Sequence, residues 1–346
     1  MIDNRIWITI WAIAFLLFVL VMVFIYIAVQ RMRQNRMNEK IQQYIKKYSE
    51  DWYSYLIEGG DSKGISTIKA AYERNAIDQI LIRYAKNISG EHTLRRISDF
   101  AEHYLQDYYR DMLNSNSWSI RMNALNKILD LRLGFLLDDI LKMLKREKSY
   151  SDQEYLVMYK ILSVFKDDYF IYHLLHPKCT LSEFEYKRIL YTADLNHLKE
   201  LVRKLEDLPR TLQYVVIDMI GIRRYVEYIP FLEGLLVSDD REQRIRVLKS
   251  IGLIGYITNI DKYVPFVESS VWEERLMAAK LLRHVHLSQS SPYLERLIKD
   301  SSWWVRKQAA DTLISQKMGE KVLELVILSG NDRYAVDIAK EVLGKE

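Results

Sequence analysis

His173, His176 and Cys179 stand three residues apart, a spacing at which imidazole and thiolate ligands invite a zinc reading. Pro177 interrupts any helix face they could share, and no fourth ligand follows at a recognisable spacing, so they read as helix-end residues. His284 and His286 are two apart and face different sides of a helix. The run Glu58-Gly59-Gly60-Asp61-Ser62-Lys63-Gly64 has the composition of a phosphate loop without its glycine–lysine spacing or a preceding strand. Asp138-Asp139 and Asp167-Asp168 are adjacent pairs whose carboxylates point apart and suit the first turns of helices. No dinucleotide fingerprint, nucleophile elbow or His-Glu-x-x-His motif occurs. The residues therefore predict no catalytic set, no metal ligands and no cofactor site, and the chain does not read as an enzyme.

The elements around these residues read as helices. Among 346 residues there are only 12 Gly and 5 Pro, too few for a fold built on sheets and long loops. From Ser115 onward the chain resembles itself. Aligned at one recurring position, the units place Arg121, Gln213, Arg244, Arg275, Arg306 and Arg333 in register, with three successive steps of 31 residues and a last step of 27. Each unit offers a first helix with small residues such as Ala278, Ala279, Ala309 and Ala310, a turn, and a second helix such as Tyr228-Ile229-Pro230-Phe231 or Tyr263-Val264-Pro265-Phe266. A hairpin of that size cannot bury its apolar face alone, and stacking on neighbours supplies the core.

The segment Asp239-Asp240-Arg241-Glu242-Gln243-Arg244-Ile245-Arg246, the following Ile251-Gly252-Leu253-Ile254-Gly255, and Asp300 through Ala310 resemble the short HEAT-like repeats of about 31 residues found in phycobilisome lyases. The resemblance implies an all-α architecture, an α-solenoid of tandem helical hairpins, and a binding surface whose ligand it does not specify. It also implies a structural role for the repeated arginines Arg121, Arg244, Arg275, Arg306 and Arg333. Each would pair with the acidic turn before it, as Asp239 precedes Arg244 and Asp300 precedes Arg306. The layout is similar to bacterial membrane-anchored HEAT-repeat proteins associated with glycosyltransferase and exopolysaccharide systems, which implies a glycosyltransferase as one partner.

The anchor is expected at Ile6–Val29, 24 residues whose only polar side chain is Thr9. Such a helix spans about 36 Å, enough for a hydrocarbon core of about 30 Å. It is too long for the apolar core of a signal peptide and lacks a suitable cleavage site. Arg31, Arg33, Arg36, Lys40, Lys46 and Lys47 follow it, so residues 1–5 are expected outside and the rest in the cytoplasm. Residues 31–47 carry a net charge of +5 and residues 1–30 none, which leaves −1 for everything beyond. Anionic headgroups are thus expected partners of the juxtamembrane segment, at roughly 1 kcal/mol per basic residue near the surface. Nucleic acid is not an expected partner of the near-neutral remainder. The single cysteine fits a reducing compartment.

The chain accordingly divides into the span at 6–29, a basic amphipathic helix at 30–58, an irregular helical cap at 64–114 and the repeat array at 115–346. Ile41, Tyr44, Ile45, Tyr48, Trp52 and Tyr55 form one stripe, open to two readings: packing on the cap, or self-association of two copies through residues 41–55. With 24 Tyr and 7 Trp the chain is rich in aromatics, and Tyr225, Tyr228, Trp303 and Trp304 are candidate interface anchors. The expected function is a single-pass, membrane-tethered scaffold presenting a cytoplasmic surface to a protein partner. The alternative is an enzyme accessory or lyase-like protein that binds a small ligand in the groove.

Overall fold

A computed structural model describes residues 4–61, 65, 68–88, 90–146, 150–257 and 259–344, all in helices or their connecting turns, with no strand among them. Residues 1–3, Ser62-Lys63-Gly64 at the end of the loop-like run, and the helix break expected at Ser89 lie outside the described residues. The chain divides into two compact units, Met1–Phe165 and Lys166–Glu346. The boundary read from the sequence at 114/115 falls inside the first of them.

In the first unit, α1 (Asn4–Tyr53) is one uninterrupted helix of 50 residues, about 75 Å long. The apolar run and the basic amphipathic stretch, read from the sequence as two elements, are therefore a single rod. Gln30 to Lys40 contains Arg, Met, Gln, Glu and Lys with no Gly or Pro, so nothing in the composition breaks the helix. Side chains 11–27 and 30–40 are exposed all round, and burial begins at Ile41. From there Ile41, Tyr44, Ile45 and Trp52 are buried against the helices that follow. Of the two readings of this stripe, packing within the chain is the one observed. Tyr48 and Tyr55 of the same stripe are half-buried.

The rod ends in a wide turn, Ser54–Glu58, where Gly59 takes φ +86° and the Gly60 N–H donates to the Ser54 carbonyl at 3.0 Å. The unit continues with α2 (Ala71–Asn87), α3 (Glu91–Asn114), α4 (Trp118–Leu131), α5 (Leu137–Lys145) and α6 (Asp152–Val164). Trp52 is fully buried, its ring edge-on to Phe100 at 4.9 Å. Tyr109 Oη donates to Asp78 at 2.8 Å, and Asp78 also pairs with Lys127 at 2.5 Å, so this buried carboxylate is answered from α3 and α4. Burial, followed by the Asp78 charge, pushes the Tyr109 hydroxyl well above its usual value.

The second unit contains α7 (Phe170–Leu175), α8 (Glu183–Leu190), α9 (Leu195–Arg203), α10 (Arg210–Ile222), α11 (Ile229–Gly234), α12 (Arg241–Ile254), α13 (Val264–Val267), α14 (Trp272–Leu281), α15 (Leu287–Leu297), α16 (Trp303–Ile314), α17 (Gly319–Ser329) and α18 (Arg333–Leu343). Starts are written locally: Ser182 caps α8 with Glu185 reaching back, and Asp194, Asp240 and Asp332 cap α9, α12 and α18. Pro230 and Pro265 sit in the first turns of α11 and α13, where a missing N–H costs nothing.

Helices α8, α10, α12, α14, α16 and α18 pack one on the next in chain order. Helices α11, α13, α15 and α17 each lie against the long helix that follows. Small side chains set the spacing. A Cβ on Gly221 would come within 2.6 Å of Ser250 Cα, so glycine is what lets α10 and α12 meet, and Ser250 Oγ donates to the Ile217 carbonyl across the contact at 2.9 Å. Ala278, Ala279, Ala309, Ala310, Ala335 and Ala339 continue the buried small-residue contact through α14, α16 and α18.

Candidate interaction surface

The recurring arginines sit in the first turns of successive helices, and their side chains reach back toward the turn that precedes them. Arg121 donates from Nη1 to the carbonyls of Ser115 at 3.0 Å and Asn116 at 2.9 Å. Arg244 does so to Ser238 and Arg275 to Ser269, both at 2.7 Å. Arg306 reaches Asp300 at 2.8 Å and Ser301 at 3.1 Å. Gln213, the neutral member of the series, donates to the Leu208 carbonyl at 2.9 Å. The shared contact is thus a backbone carbonyl.

The rest of the guanidinium fork turns the other way, to the next unit. Arg121 Nε meets Glu154 at 2.7 Å, Arg244 Nε meets Glu274 at 2.8 Å, and Arg275 grips both oxygens of Asp300 at 2.5 and 2.8 Å. Arg306 lies over the Tyr334 ring at 5.0 Å. The expected pairing of each arginine with the acid before it is corrected by these contacts. Asp239 is exposed, and Asp240 is occupied as the cap of α12, accepting from the N–H groups of Glu242 and Gln243. The Asp300 carboxylate serves Arg275, while its main-chain oxygen serves Arg306. Arg333 departs from the series: it is exposed and lies 3.9 Å from Asp337.

Beside this row, Arg246 on α12 binds both oxygens of Glu183 on α8 at 2.8 and 2.9 Å and Asp218 on α10 at 2.8 Å. Lys187 reaches Asp218 and Glu183, each at 2.6 Å. The Arg246 hydrogen bond, helped by Lys187, lowers the Glu183 carboxyl to about 2. These contacts join α8, α10 and α12, neighbours in the stack.

Two recesses open on the second unit. One, of about 700 Å³, lies between α13 and α15 and is balanced in charge: Glu268 pairs with Arg296 and Arg275 with Asp300 along its wall. The other, of about 300 Å³, lies across α12, α14 and α16 and has Lys249, Lys280, Arg283 and His284 on its wall with no acid. On that wall the sequence singles out only His284, as one of a histidine pair set aside for its spacing. Lys249 and Lys280 are 31 residues apart, at one position of two successive units, but the repeat does not tell which positions are exposed or unpaired.

The candidate aromatics part company. Trp303 and Trp304 are exposed at the start of α16, edge to face at 4.8 Å. Tyr225 and Tyr228 are half-buried, and Arg223 donates to the Tyr225 hydroxyl at 3.2 Å. Of the basic residues on α1, Arg31, Arg33, Arg36 and Lys46 are exposed, while the Lys40 and Lys47 ammonium groups lie over the rings of Tyr72 and Tyr48. His173 is buried and His176 exposed, both against the Tyr172 ring, and no group of three metal-ligating side chains gathers among the described residues. Asp138 and Asp139 occupy the first turn of α5, where Arg110 meets Asp139 at 3.3 Å.

No protein-family model matches the chain, and no curated protein does. Among solved structures it is similar to an engineered protein at 14% identity, over 88% of this chain and 98% of that one, with a TM-score of 0.37.

Proposed function

We propose that the chain is a membrane-tethered scaffold: residues 6–29 cross the bilayer, and a HEAT-like solenoid on the basic side of the span offers its surface to a protein partner at the same membrane. The observation that carries this reading is the contrast along α1. Its apolar part has a mean hydropathy of 3.1 over 18 residues and none of that stretch is buried in the protein, whereas the same helix is packed from Ile41 onward. An apolar face of that extent left in water would be an aggregation hazard, and a bilayer is its natural solvent. The chain-order packing of α8 through α18 and the arginine joints support a stacked array. Tethering holds such an array at high effective concentration near membrane partners, and the layout's resemblance points to a glycosyltransferase among them.

Lipid contact follows from the same rod. Arg31, Arg33 and Arg36 lie about 3 to 10 Å beyond Val29 along the axis, within the reach of headgroup charge. Lys46 and Lys47 lie about 25 Å or more beyond it and belong to the folded unit.

The test is gentle detergent extraction of the full-length chain from its native membrane, followed by mass spectrometry of what accompanies it. The expected result is resistance to alkaline carbonate, protection of the N-terminal side from cytoplasmic protease, and one stoichiometric membrane partner. Release by carbonate would remove the anchor, and a chain that purifies alone after cross-linking at low salt would remove the scaffold.

A further inference from the structure

The recess across α12, α14 and α16 has a chemistry that the arginine joints do not explain. Lys249 and Lys280 are exposed on α12 and α14, which pack on each other, Arg283 and His284 follow at the end of α14, and none of the four has an acidic partner among the described residues. In the same unit Arg244, Arg246, Lys262, Arg275, Arg296 and Lys307 are all paired with carboxylates. The C-terminal dipole of α14 favours cations such as Lys280 and Arg283 near its end, but that preference requires no recess beside them.

The floor is apolar. Leu253 is 41% exposed there, Met277 is half-buried, and Leu248 closes the bottom. Gly252 lies inside α12 at ordinary helical geometry, and a Cβ on it would meet nothing within 4 Å. Packing therefore does not require this glycine, which is a poorer helix former than alanine inside a helix. It keeps the recess deep. Gly255 ends α12 at φ +77° with the His284 ring over it, fixing that imidazole at the rim.

We propose that this recess is the docking site for an acidic segment of a partner protein that carries an apolar side chain between its carboxylates. The apolar side chain enters over Gly252 between Leu253 and Met277, and the flanking carboxylates meet Lys249, Lys280 and Arg283. Unpaired cations around an apolar pocket give such a site its sign selectivity and steer encounter. The site deepens the scaffold reading and rests on it, since it names the class of partner that the array would hold.

The experiment uses the full-length chain in non-ionic detergent and a fluorescein-labelled dodecapeptide of alternating leucine and acidic residues, read by fluorescence anisotropy. Binding is expected to weaken at least about tenfold in the Lys249→Glu/Lys280→Glu/Arg283→Glu variant and to fall steeply with salt. Gly252→Leu fills the floor with a good helix former, so it is expected to lose a similar factor while melting no lower than the wild type. Failure of the wild type to bind the peptide, or equal binding by the charge-reversed variant, overturns the proposal. Equal affinity for a peptide with lysines in place of the acids, or for an oligothymidylate of the same charge, does so too. The two readings fail separately. A native partner that still copurifies with the charge-reversed variant removes this site and leaves the scaffold, whereas no native partner even with the wild type removes the scaffold itself.

Discussion

Arg121 and Glu154 form the most enclosed of the arginine joints, with side chains 10% and 1% exposed. Truncating Arg121 to alanine strands a buried carboxylate and two loop carbonyls, and the expected cost is about 3 to 5 kcal/mol in chemical denaturation. Arg121→Lys is not expected to restore it, because one ammonium cannot bridge carbonyls and carboxylate in the same plane. A lysine variant as stable as the wild type would show that charge alone matters. Glu183 makes a second residue-level test. Its carboxyl falls from 4.5 to about 2 through the Arg246 bond, so its stabilising contribution is whole above pH 4.5 and is lost as the pH falls toward 2. Burial opposes ionisation of Glu154, but hydrogen bonds from Arg121 and Ser151 outweigh it and hold this carboxyl low as well. Thermal melting followed from pH 5 to pH 2 is expected to show a steady fall, shallower in Glu183→Gln. An unchanged slope in that variant would separate the network from acid stability.

At the scale of the helix, Trp52 is the fastening of α1 to the rest of its unit. Trp52→Ala removes a fully buried indole packed on Phe100 and is expected to cost about 3 to 5 kcal/mol. Hydrogen exchange would then show amides near residue 52 opening while those of α10 to α18 stay protected; uniform loss of protection would contradict that locality. Much at this scale was readable beforehand. Scarce Gly and Pro gave helices, the 31-residue register aligned the helix starts of α12, α14 and α16, and Gly59 marked the end of the first rod. Other features were not. A change from wholly apolar to amphipathic pattern at Gln30 reads as a boundary, yet no Gly or Pro falls between Gln30 and Lys40, so nothing stops the helix there. The register brings Arg121, Arg244, Arg275 and Arg306 to equivalent helix starts and Arg333 departs from it, but the carboxylate partners of the first three come from 25 to 33 residues downstream, a separation that local charge spacing cannot report. The cationic recess depends on which lysines lack acids in space, which only the fold decides.

For the whole molecule, burial says where a soluble fragment has to begin. A chain starting near residue 38 keeps Ile41, Tyr44, Ile45, Trp52 and Leu56 and is expected to be monomeric and to melt with the full-length protein. One starting at residue 60 exposes the pocket those side chains fill, and is expected to melt lower and to aggregate. Equal melting of the two fragments, read by circular dichroism, would show that α1 is only a leash. Both fragments lack the apolar part of α1, proposed as the anchor, so neither is expected to sediment with membranes.

An unbroken α1 also makes the anchor a lever arm. In the proposed anchor the bilayer ends near Val29, and Trp52 stands about 35 Å farther along a stiff axis. A membrane helix tilting by about 20° would then sweep that point sideways by about 12 Å, and one inserted residue would swing it through about 100° of azimuth. On that proposal, bilayer thickness and the packing of neighbouring spans would set the direction in which the first unit faces, a form of aim that a flexible tether could not transmit.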